Sequence, residues 1–490
     1  MEKRRVSPWI ALIPVVFLIG SLIYGLKVAG ADPHIPLFTS AIFAALIGMF
    51  VLKIHWSEIE EGIVSTIKMA MGAIIILMII GMVIGTWRQS GIVAAMIYYG
   101  LKILSPKIFL FATLIICSIV SLATGSSWTT AGTVGVALMG IGTGLGIPTP
   151  IIGGAIISGA YFGDKMSPLS DTTNLAPAMA GAKLFDHIKH MIFTTGPSYI
   201  ISGVLFLIIG FTFNIGSDNV QNVSLINDLL TSNFNISPFL LLVPVVVIGL
   251  VVMKVPAIPG LFAGAILGGI TAMITQGASF ADVLGALHYG YSVDGLSDVI
   301  LANPIFQSII ANLDPDTADG ILGKFTSLVD GGGMDSMMWT ISLILCAMTF
   351  GGVMEKTGML EALASVILKF AKSTGLLVTS VVLTAIGMNV LAGDQYLSIV
   401  IPGRMFKQAF DDRGLAPKNL SRCLEDSGTL SSPLIPWNTC GAFMIATLGL
   451  TPWTYVPYCF LNLINPIVSI FYGFTGITME KAEKVEGVEA

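Results

Sequence analysis

Residues 163–181 read GDKMSPLSDTTNLAPAMAG, and this stretch decides which class of fold the chain can adopt. It follows an uninterrupted apolar arm at 151–162, yet it holds two aspartates and a lysine. Neither Pro168 nor Pro177 can continue a helix without the loss of backbone hydrogen bonds. We therefore expect a membrane helix that breaks here and exposes half-helix ends and carbonyl groups beside polar side chains. A cytoplasmic loop is the alternative interpretation of the same residues.

The composition of the whole chain supports a membrane location. Apolar residues make up 54% of the 490 residues and charged residues only 11%, whereas a soluble domain holds about 25% charged residues. A helix that crosses a bilayer needs about 20 apolar residues. Several continuously apolar stretches come close to this length: 8–26, 35–52, 69–86, 197–213, 238–253, 256–274, 337–353 and 452–473. Because they do not alternate with polar residues, they predict an all-α polytopic membrane protein.

The charge and cysteine content argue against several other classes of protein. The net charge is −5, and no basic patch of the kind that binds nucleic acid is present. The five cysteines show no CxxC spacing and no accompanying histidines, so we expect neither a zinc site nor a disulfide framework. We expect no cofactor and no enzymatic activity. The expected partners are the lipid bilayer and small cations, with a homodimer as the oligomer to consider.

The two halves of the chain repeat each other. SPWIALIPVVFLIG at 7–20 returns as SPFLLLVPVVVIGL at 237–250, and MSPLSDTTN at 166–174 is followed much later by SSPLIPWNT at 431–439. Such ordered matches indicate an internal repeat. The predicted organisation is a first repeat, an external linker, a second repeat that contains an external insertion near 292–336, and a cytoplasmic tail: 1–215, 216–236, 237–475 and 476–490.

Each half contains an odd number of expected spans, so the second half should insert upside down relative to the first. We expect about ten transmembrane helices of bilayer-spanning length, with two re-entrant hairpins and two discontinuous helices. With the N-terminus in the cytoplasm, most of the 24 Lys and Arg residues fall on the cytoplasmic side, as the positive-inside rule requires. The C-terminus then lies in the cytoplasm as well.

Four polar clusters are expected inside the membrane, where polar residues usually have a function. They lie at 163–181, at its repeat partner 425–441, and at the hairpin tips 124–130 and 392–396. Carboxylate, hydroxyl and amide oxygens suit a hard cation such as Na⁺. The candidate ion ligands are Asp164, Ser167, Asp171, Thr172, Asn174, Ser126, Ser127, Thr129, Asp394, Asn438 and Thr439.

The charge of the site is expected to come mainly from the first half. The predicted Na⁺ ligands with most weight are Asp164, Asp171 and Asn174. We expect Lys165 to act as a charge partner that pairs with Asp171 or gives up a proton when Na⁺ enters. Two further acids, Glu425 and Asp426, are expected at the cytoplasmic entry of the second interrupted helix.

The stretch 163–181, together with TGSSWTTAGTVG at 124–135, resembles the signature region of the NhaC family of sodium/proton antiporters. The resemblance implies a prokaryotic plasma membrane and a fold of the ion-transporter type, with two hairpins and two discontinuous helices that meet near the midplane. It also implies Na⁺ efflux coupled to H⁺ entry. Some members of the family exchange organic acids such as malate and lactate together with the ions.

The expected mechanism is competition between H⁺ and Na⁺ for a poorly hydrated carboxylate. Alternating access would move the hairpins and broken helices against a frame formed by 8–52 and 238–274. An organic-acid exchanger is the main alternative, although the arginines at 404, 413 and 422 are interpreted as cytoplasmic. The chain lacks the GxGD element of an intramembrane aspartyl protease, which argues against that class of enzyme.

Two histidines on the expected cytoplasmic side, His187 and His190, lie one helical turn apart. They are interpreted either as a pH sensor or as part of a solvated helix face, because histidine changes its charge near physiological pH.

Overall fold

The computed structural model describes residues 6–103, 105–213, 227–253, 255–291, 326 and 329–482. These residues form helices joined by short connections, with only isolated β-bridges among them. The α-helices are Pro8–Ile23, His34–Phe50, Trp56–Gln89, Ile92–Ile103, Pro106–Thr124, Ser127–Thr130, Val136–Gly144, Thr149–Met166, Asp171–Ala180, Leu184–Thr212, Leu242–Val252, Ala257–Thr275, Phe280–Tyr289, Met338–Lys356, Met359–Lys369, Thr374–Leu391, Gln395–Asp411, Pro417–Leu424, Thr439–Leu448 and Phe460–Thr475.

Seven helical segments in the described part of the chain are long and apolar enough to cross a membrane. An eighth span results if a helix pair bent by 95° near 227–250 is counted as one, and four shorter apolar helices accompany them. The expected class, an all-helical polytopic membrane protein, is confirmed. The number of about ten spans and the inverted orientation of the second half stay predictions, because helix length alone does not define the membrane boundaries.

The surface of the protein carries large apolar side chains, as a lipid-facing surface requires. Trp9, Phe50 and Ile274 are each at least 75% exposed. Polar side chains such as Asn389 and Asp426 are instead completely buried. This distribution is opposite to that of a water-soluble protein, in which charged residues are almost never fully buried unless they are paired.

Small residues let the helices that build the site pack closely. Helix Thr149–Met166 lies against helix Pro106–Thr124, and a Cβ on Gly163 would come within 2.3 Å of the Leu122 backbone nitrogen. A Cβ on Gly159 would lie 2.5 Å from the carbonyl oxygen of Leu114. Glycine is therefore required at both positions, in agreement with the use of small residues at helix interfaces in membranes.

Two helical hairpins carry the predicted tips. The first hairpin is 106–144 and the second hairpin is 374–411. At each tip a glycine adopts a left-handed conformation, with φ of 69° at Gly125 and 66° at Gly393, which glycine reaches without steric penalty. The next residue, Ser126 or Asp394, is extended and caps the following helix through its side chain. The two tips therefore share one local backbone design.

Two interrupted helices pack between the hairpins. The first broken helix, 149–180, is interrupted at 167–170, around Pro168. The second broken helix, 417–448, contains a π-helical turn at Glu425–Thr429 and irregular backbone before Thr439. Pro177 lies inside the helix Asp171–Ala180, so the expectation that it helps to break the chain is wrong. Pro177 is well inside this ten-residue helix, where it removes one backbone hydrogen bond without ending the helix.

Parts of three predicted segments lie outside the described residues: 214–226 of the linker region, 292–325 with 327–328 of the insertion, and 483–490 of the tail. The boundaries of the two repeats stay predictions.

Candidate functional site

A cavity of about 560 Å³ lies where the two hairpin tips meet the two broken helices. Helix Trp56–Gln89 and residues 255–257 complete its wall. Its polar lining residues come from all four predicted clusters: Thr124, Ser126, Ser127, Thr129, Asp164, Ser170, Asp171, Thr172, Asp394, Gln395, Tyr396 and Thr439. The four clusters, separated widely in sequence, thus form one site.

Asp164 is a largely enclosed carboxylate of this cavity. It lies in the last turn of the helix Thr149–Met166, and only 7% of the residue is exposed. Ser127 from the first hairpin tip donates a hydrogen bond of 2.7 Å to Oδ2, and Ser170 from beyond the helix break donates one of 2.6 Å to Oδ1. Hydroxyl groups from two separate elements therefore converge on one carboxylate.

Asp171 occupies a more open position at the start of the helix Asp171–Ala180. The Tyr396 hydroxyl from the second hairpin tip donates to its Oδ2 over 3.4 Å. A carboxylate at a helix N-terminus is stabilised by the helix dipole. Asp171 thus connects the first broken helix with the second hairpin across the cavity.

Asp394 has a structural partner as well as a place in the cavity wall. Its Oδ1 accepts a hydrogen bond of 3.0 Å from the backbone N–H of Leu397, and thereby caps the helix Gln395–Asp411. No group of three His, Cys, Asp or Glu side chains within the described ranges is arranged to hold one metal ion. The three aspartates share a cavity without forming a three-carboxylate chelate, so hydroxyl and carbonyl oxygens would complete any cation site.

The structure brings Ser126, Ser127, Thr129, Thr172 and Thr439 to the cavity wall with the three aspartates. Their role as ion ligands stays a prediction.

Three other candidate ligands lie away from the cavity. Ser167 is buried, and its hydroxyl donates a hydrogen bond of 2.9 Å to the carbonyl of Leu122. Asn174 is exposed, and its amide donates to the carbonyls of Pro168 and Ser170, which stabilises the break in the helix.

Asn438 is the third. Its Oδ1 accepts from the backbone nitrogen of Cys440 over 3.0 Å, and its amide donates to Asn389 on the second hairpin over 2.9 Å. Asn438 therefore positions the start of the helix Thr439–Leu448 next to the cavity.

Lys165 points away from Asp171 and forms a salt bridge with Asp426 of the second broken helix. Both side chains are fully buried, and Thr194 donates a further hydrogen bond of 2.9 Å to Asp426 Oδ1. The expected pairing with Asp171 is therefore not formed. Successive residues of a helix point in directions about 100° apart, so Asp164 faces the cavity while Lys165 faces the second broken helix.

The charges of the second broken helix lie inside the protein and not at an open, solvated entry. Glu425 and Asp426 are completely buried, as is Arg422, and their position on the cytoplasmic side stays a prediction. Arg422 Nε lies 3.9 Å from Asp426 Oδ2, one helical turn away. The helical spacing of Arg422 and Asp426 brings opposite charges together, which makes burial of the pair tolerable.

His187 and His190 are buried as well, so the solvated-face interpretation is wrong. His187 Nδ1 lies 2.8 Å from the hydroxyl of Ser421, and His190 Nε2 lies 3.2 Å from Asn419 Oδ1. Both histidines pack against the helix Pro417–Leu424.

Ser170 and Tyr396 are contacts that the sequence reasoning left out of the candidate set. Ser170 belongs to the polar run that begins at the helix break, so its spacing from Asp164 was a usable signal. Tyr396 follows the predicted tip residue Asp394 by two positions, but only the folded arrangement brings it to Asp171.

The amino-acid sequence also matches a known protein family. The model of the Na⁺/H⁺ antiporter family matches residues 159–477, a region that contains the second hairpin, the second broken helix and the first broken helix from residue 159 onward. The chain belongs to the Na⁺/H⁺ antiporter family. This confirms the resemblance drawn from the motif at 163–181.

Three curated relatives match this antiporter-family chain over most of its length. The Na(+)/H(+) antiporter NhaC of Alkalihalophilus pseudofirmus is 40% identical and covers 99% of both chains. That of Bacillus subtilis is 38% identical, over 96% of this chain and 99% of the relative. A Malate-2H(+)/Na(+)-lactate antiporter of Bacillus subtilis is 35% identical, over 90% and 89% respectively.

Proposed function

We propose that this protein exchanges cytoplasmic Na⁺ for external H⁺ across a prokaryotic plasma membrane by alternating access. The observation that carries the proposal is the environment of Asp164. This buried carboxylate in the cavity wall accepts hydrogen bonds from the hydroxyl groups of Ser127 and Ser170. Membership of the antiporter family supports the same reading. Oxygen atoms of this kind can replace the hydration shell of a hard cation.

Exchange would follow from competition at Asp164. When Na⁺ binds, the carboxylate oxygens and the hydroxyl oxygens of Ser127 and Ser170 turn their lone pairs to the ion, and the carboxylate carries no proton. When H⁺ binds, the carboxyl group is neutral and its electrostatic attraction for Na⁺ is lost. Each occupied form can cross, and the two ions therefore move in opposite directions.

Alternating access would move the hairpins and broken helices as one bundle against the helices at 8–52 and 238–274. Contacts within the bundle support its movement as a unit. The backbone N–H of Thr439 donates to the carbonyl of Gly393 over 2.9 Å, which ties the second broken helix to the second hairpin tip. The contact between Tyr396 and Asp171 ties that same tip to the first broken helix.

An organic-acid exchanger coupled to Na⁺ and H⁺ is the second candidate. The cavity volume of about 560 Å³ lies within the range of small-molecule sites, and one relative is named as a malate/lactate antiporter. The chemistry of the wall favours cations instead. The described residues that line the cavity include three aspartates and neither a lysine nor an arginine, whereas a carboxylate substrate would need cationic or N–H donors.

The deciding experiment measures proton movement in everted vesicles with a pH-sensitive dye. Na⁺, Li⁺, K⁺, malate and lactate are added one at a time to vesicles that contain the protein, with vesicles from cells lacking it as the control. We expect Na⁺ alone to release protons from the acidified interior. Proton release by malate but not by Na⁺ alone would replace the preferred function with the second candidate.

A further inference from the structure

Glu425 is a buried acid that the proposed exchange at Asp164 does not use. It opens the π-helical turn of the second broken helix and is completely buried. The hydroxyls of Thr429 and Thr172 are close to it, but neither of its carboxylate oxygens accepts a hydrogen bond of acceptable geometry from the described residues. A fully buried, ionised carboxylate without hydrogen bonds is strongly unfavourable, so the environment of Glu425 suits a carboxyl group that holds a proton.

A series of hydroxyl groups joins Glu425 to the cation cavity. The Ser170 hydroxyl donates a hydrogen bond of 2.6 Å to Asp164 Oδ1. The Oγ of Ser170 also lies 3.1 Å from the hydroxyl oxygen of Thr172. Thr172 lines the cavity and is also close to the Glu425 carboxylate. The order is therefore Asp164, Ser170, Thr172 and Glu425. Hydroxyl groups both donate and accept hydrogen bonds, so this series can pass a proton between the two acids once the Thr172 hydroxyl turns to hydrogen-bond Glu425.

The charged groups around Glu425 come from three elements. Asp164 and Lys165 face it from the first broken helix, and Asp426 with Arg422 belongs to its own broken helix. His187 from the helix Leu184–Thr212 lies near Lys165. Lys165 is engaged by Asp426, so the positive charge nearest to Glu425 is already largely balanced.

We propose that Glu425 is the carboxyl group that carries the transported proton, and that Ser170 and Thr172 connect it to Asp164. This inference rests on the proposed Na⁺/H⁺ exchange and adds a second site to it. Na⁺ and the incoming proton compete at Asp164 in the cavity, and the proton is then held on Glu425 outside the cavity wall.

The transfer balances without any further reactant. A hydronium ion in the cavity gives a proton to Asp164, which gains an O–H bond, and leaves as water. Ser170 accepts it and gives up its own proton to Thr172, which in turn gives its proton to Glu425. Each hydroxyl ends with one proton, the Asp164 carboxylate is free again, and Glu425 has gained an O–H bond.

Coupling between the two ions follows from electrostatics. A cation at Asp164 stabilises the ionised form of Glu425 and so releases its proton, because nearby opposite charges favour ionisation. Conversely, when Glu425 is protonated, one negative charge near the cavity is neutralised, and Na⁺ is bound more weakly. Such reciprocal coupling is what antiport requires.

The test uses the full-length protein in liposomes and separates Na⁺ movement from proton movement. In E425Q we expect exchange of internal Na⁺ for external radioactive Na⁺ to persist, while Na⁺-driven proton movement is lost. Na⁺ binding should also depend less steeply on pH, because Asp164 remains the one acid of the pair that can take up a proton. The control is E60Q, which alters an exposed carboxylate that does not line the cavity and should behave as wild type. Normal proton movement in E425Q would overturn the inference.

A second pair of variants decides the matter if E425Q does not fold. T172V removes the connecting hydroxyl and T172S restores it. We expect T172V to slow proton movement more than Na⁺/Na⁺ exchange, and T172S to recover both. Equal slowing of the two exchanges in T172V would overturn the hydroxyl pathway. Failure of the proposed function is distinct, because wild-type protein would then show no Na⁺ movement in either assay.

Discussion

Lys165 on the first broken helix and Asp426 on the second form a salt bridge in which both side chains are fully buried. It connects residues 261 positions apart and lies directly behind the wall that carries Asp164. Two charges removed from water are tolerable only when each has a partner. This pair therefore determines how the two broken helices sit against each other.

Replacement of either Lys165 or Asp426 alone should lower the stability of the protein more than replacement of both. We expect K165M and D426L each to destabilise the protein by about 3–5 kcal/mol, because a buried charge loses its nearest partner. The double variant should be more stable than either single one. The measurement is thermal unfolding of the purified protein in detergent.

The exposed pair Lys356–Glu61, separated by 2.7 Å, provides the matched control. Its single variants K356Q and E61Q should change the melting temperature little, because solvent screens exposed ion pairs. Strictly additive losses in K165M/D426L would show that the buried contact does not couple the helices.

The two aspartates at the break of the first helix should differ in their effect on transport. We expect D164N to abolish Na⁺-driven proton release, because Asp164 is enclosed and accepts two short hydrogen bonds. D171N should keep exchange but need more Na⁺ for half-maximal rate, because Asp171 lies in the open part of the cavity. The dye assay in everted vesicles measures both. Wild-type exchange in D164N would remove this site from consideration.

The close packing of Gly163 predicts a sharp steric effect. In G163A the new methyl group would meet the Leu122 backbone nitrogen at 2.3 Å, and backbone cannot move aside cheaply. Overpacking of this kind typically destabilises a protein by about 1–3 kcal/mol. G196A is the control, since a Cβ there has no neighbour among the described residues within 4 Å, and alanine should be neutral or slightly favourable in that helix. Equal melting temperatures for the two variants would contradict the packing.

Asp394 has two separable roles, as a helix cap and as a charge in the cavity wall. Asparagine caps helices about as well as aspartate, so D394N should keep the melting temperature and lower the apparent Na⁺ affinity. D394A should also destabilise the helix Gln395–Asp411 by about 1 kcal/mol. Comparison of unfolding and Na⁺ titrations separates the roles. A large loss of stability in D394N would show that the charge itself supports the fold.

The C-terminal segment should respond to acid. Lys418 forms a salt bridge and hydrogen bond with Glu480 and holds the pKa of that carboxyl below its usual range. A lowered pKa means that the contact is present above the ordinary glutamate pKa and is lost as the pH falls through the lowered value. Protection of the backbone amides at 478–482 from hydrogen exchange, relative to the intrinsic exchange rate at each pH, should therefore fall in acid, and E480Q should exchange faster than wild type at neutral pH. Identical exchange in E480Q and wild type would contradict this.

Much of the site was predictable because local signals lay in contiguous sequence. The break at 167–170 follows from Pro168 and its polar neighbours, and the hairpin tips follow from a glycine before a capping side chain. The direction of each side chain was harder to foresee. Asp164 and Lys165 are adjacent, yet one faces the cavity and the other faces Asp426. That difference depends on which helices pack around the turn.

The burial of the second broken helix could not be predicted from local sequence either. Its acidic pair, Glu425 and Asp426, resembles the charged end of a helix, because charges near helix ends usually reach water. The partners that make burial acceptable, Lys165 and Thr194, lie more than 200 positions earlier in the chain. Nothing local to 425–426 indicates them.

The sequence by itself determined the membrane class, the broken helix at 163–181 and the family, because apolar length, proline and a long motif act locally. Only the tertiary structure decided that four polar clusters enclose one cavity, that Lys165 pairs with Asp426, and that Glu425 lies buried beyond Thr172. The physical reason is that a buried charge is stabilised by whatever group faces it across a helix interface. Which group that is depends on packing between distant segments.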